Sequence, residues 1–452
     1  MCAELLREIE EEVTNLLCDL IRINTTNPPG NETEAAKYVA ESLNREGLKC
    51  EMFESAPGRG SVTARLRGSG EKPSLLLLSH LDVVAANPHE WSVDPFGGVI
   101  KHGFVWGRGA LDMKGMVAIE VMTMKLLRRN KVKPKGDVIL AATADEEKGG
   151  EAGAGYLVRS HPEKILADYV LNEGGGLAIP VKNKNVYTVQ TAEKGILWFK
   201  VKAKGVPGHG SVPEAADNAI MRMNKVVGKL GTYRPEIRVV PALGRFLSEI
   251  AKEDQSLQQI LSRLLANPEL GDQMLDTLAR TDKNLADEIR ARLRMTIAPT
   301  MIHGGVKENV IPSECEAVFD CRVLPGQTVD QAMDLMRDLL KDVDLNKLEF
   351  ETVEANEPSE SPVETPLYDV IVRVLREFEP NCGVAPMLMT GGTDSRFLRR
   401  MASVCYGFHP ARPDEPYGEM LKTIHGIDER ISIENLVFGT SVLYEVVRRF
   451  IS

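Results

Sequence analysis

Apolar residues recur along this chain with two different periods. Leu6, Ile9, Val13, Leu16, Leu17, Leu20 and Ile21 stand mostly three and four apart, which predicts an opening helix with one buried stripe. Asn27-Pro28-Pro29-Gly30-Asn31 ends it. A second helix is expected over 33–45, followed by short strands near 50–53 and 62–66. The run Leu75-Leu76-Leu77-Leu78 is too short for a helix and has no polar interruption, so it reads as a strand buried on both faces, as in a parallel sheet. Two similar strands, 137–144 and 168–171, follow an amphipathic helix over 113–129. The long connection 83–105 is expected to contain a hairpin from 98 to 106. Such alternation predicts an α/β layer.

After residue 185 the pattern changes. Extended residues 186–204, a helix at 217–230, strands at 297–303 and 315–323, a helix at 329–340 and a strand at 348–353 give the ferredoxin-like order β-α-β-β-α-β. A polar, helix-forming stretch near 243–295 interrupts that order and is expected to be a helical insertion. Glu357-Pro358-Ser359-Glu360-Ser361-Pro362 reads as a linker. Helix 367–378, strand 385–389, helix 395–401, strand 404–408 and helix 433–450 then resume the first pattern. The expected architecture is an α/β domain built from 1–185 and 357–452, with an α+β domain, 186–356, inserted into it.

Composition narrows the picture only a little. A chain of 452 residues exceeds one ordinary domain. With 55 basic and 65 acidic residues, a net charge of −10 and no long basic run, no nucleic-acid partner is expected. Seven cysteines, Cys2, Cys18, Cys50, Cys315, Cys321, Cys382 and Cys405, are scattered without a Cys-x-x-Cys pair, which fits a reducing cytoplasm. The acidic start is unlike a signal peptide and no apolar stretch reaches spanning length, so no membrane association is expected.

The candidate chemistry gathers where predicted strands end. His80 and Asp82 lie two apart on an extended segment and project to one side. Asp112 stands between the glycine-rich turn at 107–109 and a helix, where alone it would be read as an N-cap. Asp145-Glu146-Glu147 and Asn172-Glu173-Gly174-Gly175-Gly176 close the next two strands. Each acidic end alone is a solvated loop. On one sheet edge, however, so many carboxylates repel one another unless a cation neutralises them. Imidazole and carboxylates without thiolate suit zinc, with cobalt or manganese as alternatives. Either His409 or His425 satisfies the residue chemistry as a further ligand. His89, His102, His161 and His303 have no motif around them.

Ser79-His80-Leu81-Asp82, Gly107-Arg108-Gly109-Ala110-Leu111-Asp112-Met113-Lys114-Gly115 and Asp145-Glu146-Glu147 together make the chain resemble the di-zinc metallopeptidase family that contains glutamate carboxypeptidase, acetylornithine deacetylase, succinyl-diaminopimelate desuccinylase and aminoacylase. The inserted helices with Thr296-Ile297-Ala298-Pro299-Thr300 and Gly305-Val306-Lys307-Glu308-Asn309-Val310-Ile311-Pro312 are most similar to its carboxypeptidase S branch. The resemblance implies a zinc-peptidase-like catalytic domain with an inserted lid and dimerisation domain, and two zinc ions. By resemblance His80 and Glu173 would hold one ion, Glu147 and His425 the other, and Asp112 would bridge them. Glu146 would be the general base, and Asp82 would accept a hydrogen bond from the non-ligating nitrogen of His80.

Within Val206-Pro207-Gly208-His209-Gly210-Ser211, residue composition makes His209 a turn histidine. The resemblance implies instead that it reaches the site of a second subunit and steadies an oxyanion. Arg322, Asn309 and the Gly391-Gly392-Thr393 loop would receive a substrate carboxylate. The implied activity is hydrolysis of an amide bond beside a free carboxylate, in a short peptide or N-acyl amino acid, by a cytoplasmic homodimer. Deacylation of a biosynthetic amino-acid intermediate is the alternative substrate class. A catalytically silent metal-binding dimerisation protein is the alternative of another kind, and the presence of Glu146 beside a full ligand set speaks against it.

Overall fold

The four leucines open the strand Leu75–His80, every residue of which is buried. Leu75 and Leu77 enter one core and Leu76 and Leu78 another, so the strand is apolar on both faces because it lies between two layers. The computed structural model describes residues 3–252, 254–280 and 283–452. Cys2 lies outside them.

Leu75–His80 runs parallel to both neighbours, Val138–Thr143 and Tyr169–Asn172, near the middle of a ten-stranded sheet. Val404–Gly407 continues the parallel set beyond Tyr169–Asn172. Helices Ala3–Arg22, Lys114–Arg129, Pro366–Phe378 and Ile433–Ile451 cover one face. The shorter Ala154–Ser160 and Ser395–Arg399 contribute to the other. Parallel strands all finish at one edge, so the loops after His80, Thr143, Asn172 and Gly407 meet there.

A second sheet of four antiparallel strands has the order Thr296–Gly304, Glu314–Val323, Gly195–Lys204, Leu348–Asn356. With helices Ala219–Thr232 and Val329–Leu339 this is the ferredoxin-like arrangement.

Three readings of the sequence change. Residues 186–204 are not one extended piece of the inserted unit. Lys184–Glu193 pairs with Gly383–Met389 in the large sheet, and the passage into the small sheet falls at Lys194, inside a stretch buried without interruption from 186 to 197. The 357–362 linker contains a short strand, Ser359–Glu360, hydrogen-bonded to the end of Lys184–Glu193. The helices of the insertion, Pro241–Ala251, Gln255–Ala266, Gly271–Ala279 and Lys283–Arg292, share a core with Val186, Ala192, Ala385 and Leu388 of the large sheet. They interrupt the small unit in sequence but bury their apolar stripe against the large one.

Candidate metal centre

Two groups of potential ligands share Asp112. His80, Asp112 and Glu173 form one, and Asp112, Glu147 and His425 the other. His80 Nε2 lies 3.1 Å from Asp112 Oδ1 and 3.9 Å from Glu173 Oε1. His425 Nε2 lies 3.0 Å from Asp112 Oδ2 and 3.2 Å from Glu147 Oε2. Each oxygen of one carboxylate therefore faces a different histidine, a donor set suited to bridging two cations.

Local sequence accounts for these positions. The chain turns away directly after Glu173 through Gly174, whose φ is +96°. A side chain on Gly175 would stand 2.4 Å from the Gly407 carbonyl, so only glycine lets the Glu173 loop lie against the neighbouring strand end. Asp145, at φ 75°, and His425, at φ 57°, occupy the left-handed region without being glycine, as residues held at functional sites do. Glu146 and Glu147 lie on one 3-10 turn, Glu146–Lys148. Neighbours on such a turn point apart, which gives the two carboxylates separate tasks.

The electrostatics call for positive charge. Burial, together with the charges of Asp112, Glu147 and Asp394, pushes Glu173 up to about 8. Burial and then the charge of Glu173 raise Glu146. Burial works against a charged His80, but hydrogen bonds to Asp112 and Asp82 raise it well above its ordinary value. Hydrogen bonds to Asp112 and Glu147 lift His425 to about 10. Burial opposes ionisation of Asp112, yet the two histidines hold it well below the usual carboxylate range. Protons do here the neutralising that cations would do, and Glu147 Oε1 is buried without a hydrogen-bond partner. The residues fit a pair of divalent ions.

A stability test follows from these shifts. Glu173 is raised from 4.5 to about 8, so the stability it contributes to metal-free protein is fully present below pH 4.5 and is lost as pH rises through about 8. His425, raised from 6.5 to about 10, has the same sign, its contribution fading from pH 6.5 through about 10. Chelated protein should therefore show a Tm that falls between about pH 5 and about pH 9, and added divalent cation should remove the fall. A Tm of chelated protein that is flat or rises across that window would contradict the neutralisation argument.

Other expected residues are placed differently. The Asp82 carboxylate is not the nearest acceptor for His80: its backbone carbonyl is 2.9 Å from Nδ1 and its Oδ1 3.5 Å. Instead the carboxylate accepts the backbone N–H of both Glu146 and Glu147, each at 3.1 Å. It holds the turn more directly than the ring. Arg322 does not present a free fork, because Asp320 occupies it at 2.7 and 3.0 Å. Residues two apart on a strand share a face, which explains the pairing. Thr393 donates its N–H and its hydroxyl to Glu193, at 3.0 and 2.9 Å, so neither is open to a substrate. Gly391 and Gly392 are half-buried and Asn309 is exposed. His209 is exposed on the two-residue strand Gly208–His209, its Nδ1 2.8 Å from Ser211 Oγ, and among the described residues it pairs with no carboxylate. His409 is buried, outside both ligand groups, with burial lowering it to about 4.

One organising residue has no motif around it. Glu429 is fully buried and accepts from Arg108 Nη1 at 2.7 Å and from the backbone N–H groups of Gly109, Leu111 and Asp112 at 2.9, 2.7 and 2.9 Å. Arg108 Nη2 also donates to the Gly426 carbonyl at 2.6 Å. Glu429 thereby ties the loop of the shared ligand to the segment that carries His425. A buried arginine inside the Gly-Arg-Gly turn requires such a carboxylate, and that requirement is the one sign of it in the sequence.

A family model described as peptidase family M20/M25/M40 matches residues 76–449. The N-fatty-acyl-amino acid synthase/hydrolase PM20D1 of Homo sapiens is 28% identical over 392 residues, covering 84% of this chain and 75% of the relative. The crystal structure of an M20 family metallo-carboxypeptidase, Sso-CP2 from Sulfolobus solfataricus, superposes with a TM-score of 0.75 at 17% identity, covering 97% of this chain and 99% of that one. The YXEP protein of Bacillus subtilis, described as a dinuclear metal binding peptidase from the M20 family, gives a TM-score of 0.63 at 14% identity, covering 98% of this chain and 99% of that one.

Proposed function

This chain belongs to peptidase family M20/M25/M40 and is an amide-bond hydrolase, and from that premise we propose that it cleaves the amide beside a free carboxylate in an N-acyl amino acid or short peptide, using two zinc ions. The observation that carries this reading is the division of Asp112 between His80 and His425, with Glu146 on the adjoining turn. His80 and Glu173 are assigned to one ion, Glu147 and His425 to the other, and Asp112 to both. Two divalent ions held there would supply the positive charge that activates a water and polarises the scissile carbonyl.

The chain's own residues do the rest. Glu146 takes the proton from the attacking water and returns it to the departing nitrogen. Asp82 fixes the turn that presents Glu146. Arg322, once it exchanges Asp320 for the substrate, joins Asn309 and the backbone N–H groups of Gly391 and Gly392 in receiving the free carboxylate. Zinc is preferred because the donors are two imidazoles and three carboxylates; cobalt and manganese suit the same set. The described cysteines, Cys18, Cys50, Cys315, Cys321, Cys382 and Cys405, are free thiols, in keeping with a cytoplasmic location. No helix among the described residues is long and apolar enough to cross a membrane.

A homodimer is part of the proposal, supported by the contrast between the edges of the four-stranded sheet. Leu348–Asn356 carries Glu349, Glu351 and Glu354, which discourage pairing. Thr296–Gly304 carries no charged residue over nine positions and exposes Met301 at 53% and Ile302 at 57%. Ile220 and Met221 of the neighbouring helix are also exposed. The uncharged edge is the surface assigned to a second copy.

Amino-acid release from dipeptides, N-acetyl, N-succinyl and N-fatty-acyl amino acids, with and without chelator, tests the activity. Chelator-sensitive release is expected, and the best substrate identifies the acyl class. If metal-loaded protein released nothing from any of these, the proposed substrate class would be wrong.

A further inference from the structure

Among the described residues, the Asn27-Pro28-Pro29-Gly30 loop and Arg59 form no hydrogen bond or ion pair with a member of either ligand group, yet they hold what holds the Glu146–Glu147 turn. Asn27 Nδ2 donates to Asp82 Oδ2 at 2.8 Å and to Asp145 Oδ1 at 3.3 Å. The two carboxylates it bridges grip the turn from different sides. Asp82 accepts the N–H of Glu146 and of Glu147. Asp145 is the residue that enters the turn, and its Oδ2 accepts the Ala152 N–H at 2.9 Å, closing the chain beyond it.

Arg59 completes the arrangement. Its Nη2 lies 2.6 Å from Asp145 Oδ1 and 3.0 Å from Glu32 Oε1. Its Nη1 donates to Asn27 Oδ1 at 3.1 Å and to the Pro29 carbonyl at 2.9 Å. Gly30 makes room for it: a Cβ there would stand 1.8 Å from Arg59 Nη1, and the φ of +80° is itself a glycine conformation. The loop contributes no residue to either ligand group. Its polar groups are instead spent on one guanidinium and two carboxylates that set the backbone of the turn.

We propose that Asn27 and Arg59 are positioning residues that fix the direction in which Glu146 and Glu147 leave their turn, and so govern both the base and the ion assigned to Glu147 and His425. The inference rests on the roles given to Glu146 and Glu147 under the proposed function. Direct hydrogen-bond partners of ligands change metal affinity or activity by about 10- to 100-fold when removed, and Asn27 and Arg59 stand one step further out, behind Asp82 and Asp145. Asn27→Ala deletes the bridge between the two carboxylates. Arg59→Lys keeps a charge against Asp145 and Glu32, but a single ammonium cannot reproduce the two-armed contact with Asn27 and Pro29.

The test is a stepwise zinc titration of each chelated variant, together with kcat and KM on the best substrate of the panel and a thermal unfolding curve. Glu147→Ala, run in parallel, identifies the binding step that belongs to the Glu147–His425 site. For Asn27→Ala we expect that step to weaken by about 10-fold, the low end of that span, with the other step unmoved, and kcat to fall by about 10-fold with KM within about twofold. Arg59→Lys should shift the same two quantities in the same direction, and it carries the test if Asn27→Ala does not fold. Wild-type binding steps and wild-type kcat in the folded variants would overturn the inference, as would equal weakening of both steps. Glu146→Gln separates this from failure of the underlying reading: normal turnover by that variant removes the base assignment, whereas the metal steps still decide the role of Asn27 and Arg59.

Discussion

Glu146→Gln is expected to bind two ions per chain with wild-type affinity and to turn over about 10²- to 10⁴-fold more slowly, the usual span of a lost general base. The substitution changes one oxygen to an amide nitrogen and leaves the shape intact. The backbone N–H of Glu146 stays on Asp82, so the turn keeps its course. Glu146 stands in neither ligand group, which is why metal should remain. Burial first, and then the charge of Glu173, raise its carboxyl above the ordinary value, which suits a base that must also hand the proton on. Metal analysis and kcat on the same preparation decide the matter. Near-normal turnover, or loss of metal together with turnover, would contradict the role.

The second large effect concerns the assembly. A charge placed in the open edge strand, as in Ile302→Asp, should give a monomer that retains both ions and loses nearly all turnover if, as the resemblance implies, the partner's His209 is to serve as oxyanion donor in the proposed homodimer. Within its own chain His209 is exposed, with Ser211 on Nδ1, which leaves Nε2 free to donate. Complementation tests this without damaging the edge. His209→Ala and Glu146→Gln are each expected to be inactive as pure dimers, but a mixed dimer contains one site with both residues intact. Equal mixtures that exchange subunits should recover about a quarter of wild-type turnover, since half the dimers are mixed and half of their sites are complete. Sedimentation or light scattering reports the oligomer and release kinetics the rate. Full turnover by the monomer, or no recovery on mixing, would remove the partner from the mechanism.

The parts of this fold that can be read in the sequence are those whose cause is local. Leu75–Leu78 announces a doubly buried strand because no polar residue interrupts it, and the His80, Glu147 and Glu173 positions follow because each lies at, or within a few residues beyond, the end of such a strand. Asp112 and His425 are legible through motif resemblance rather than periodicity. Contacts between distant segments leave little trace. The strand Lys184–Glu193 and the strand Gly195–Lys204 belong to different sheets, yet nothing apolar or polar marks the change except Glu193-Lys194 itself. The inserted helices have an amphipathic pattern that shows a buried stripe but not which sheet buries it. Glu429 reaches back more than three hundred residues to its four donors, and Asn27 more than fifty to Asp82. The resting partner of Arg322 is legible by spacing: Asp320 stands two positions earlier on the same strand face.

In the proposed function, two ions held through Asp112 would enable hydrolysis of an amide beside a carboxylate. The measurement that tests it most directly is a zinc titration of chelated protein while amino-acid release is followed from its best N-acyl amino acid or peptide. Release should be absent at the start, rise with added zinc and reach its plateau at two ions per chain. Full release before any metal is added, or two ions bound with no release, would contradict it.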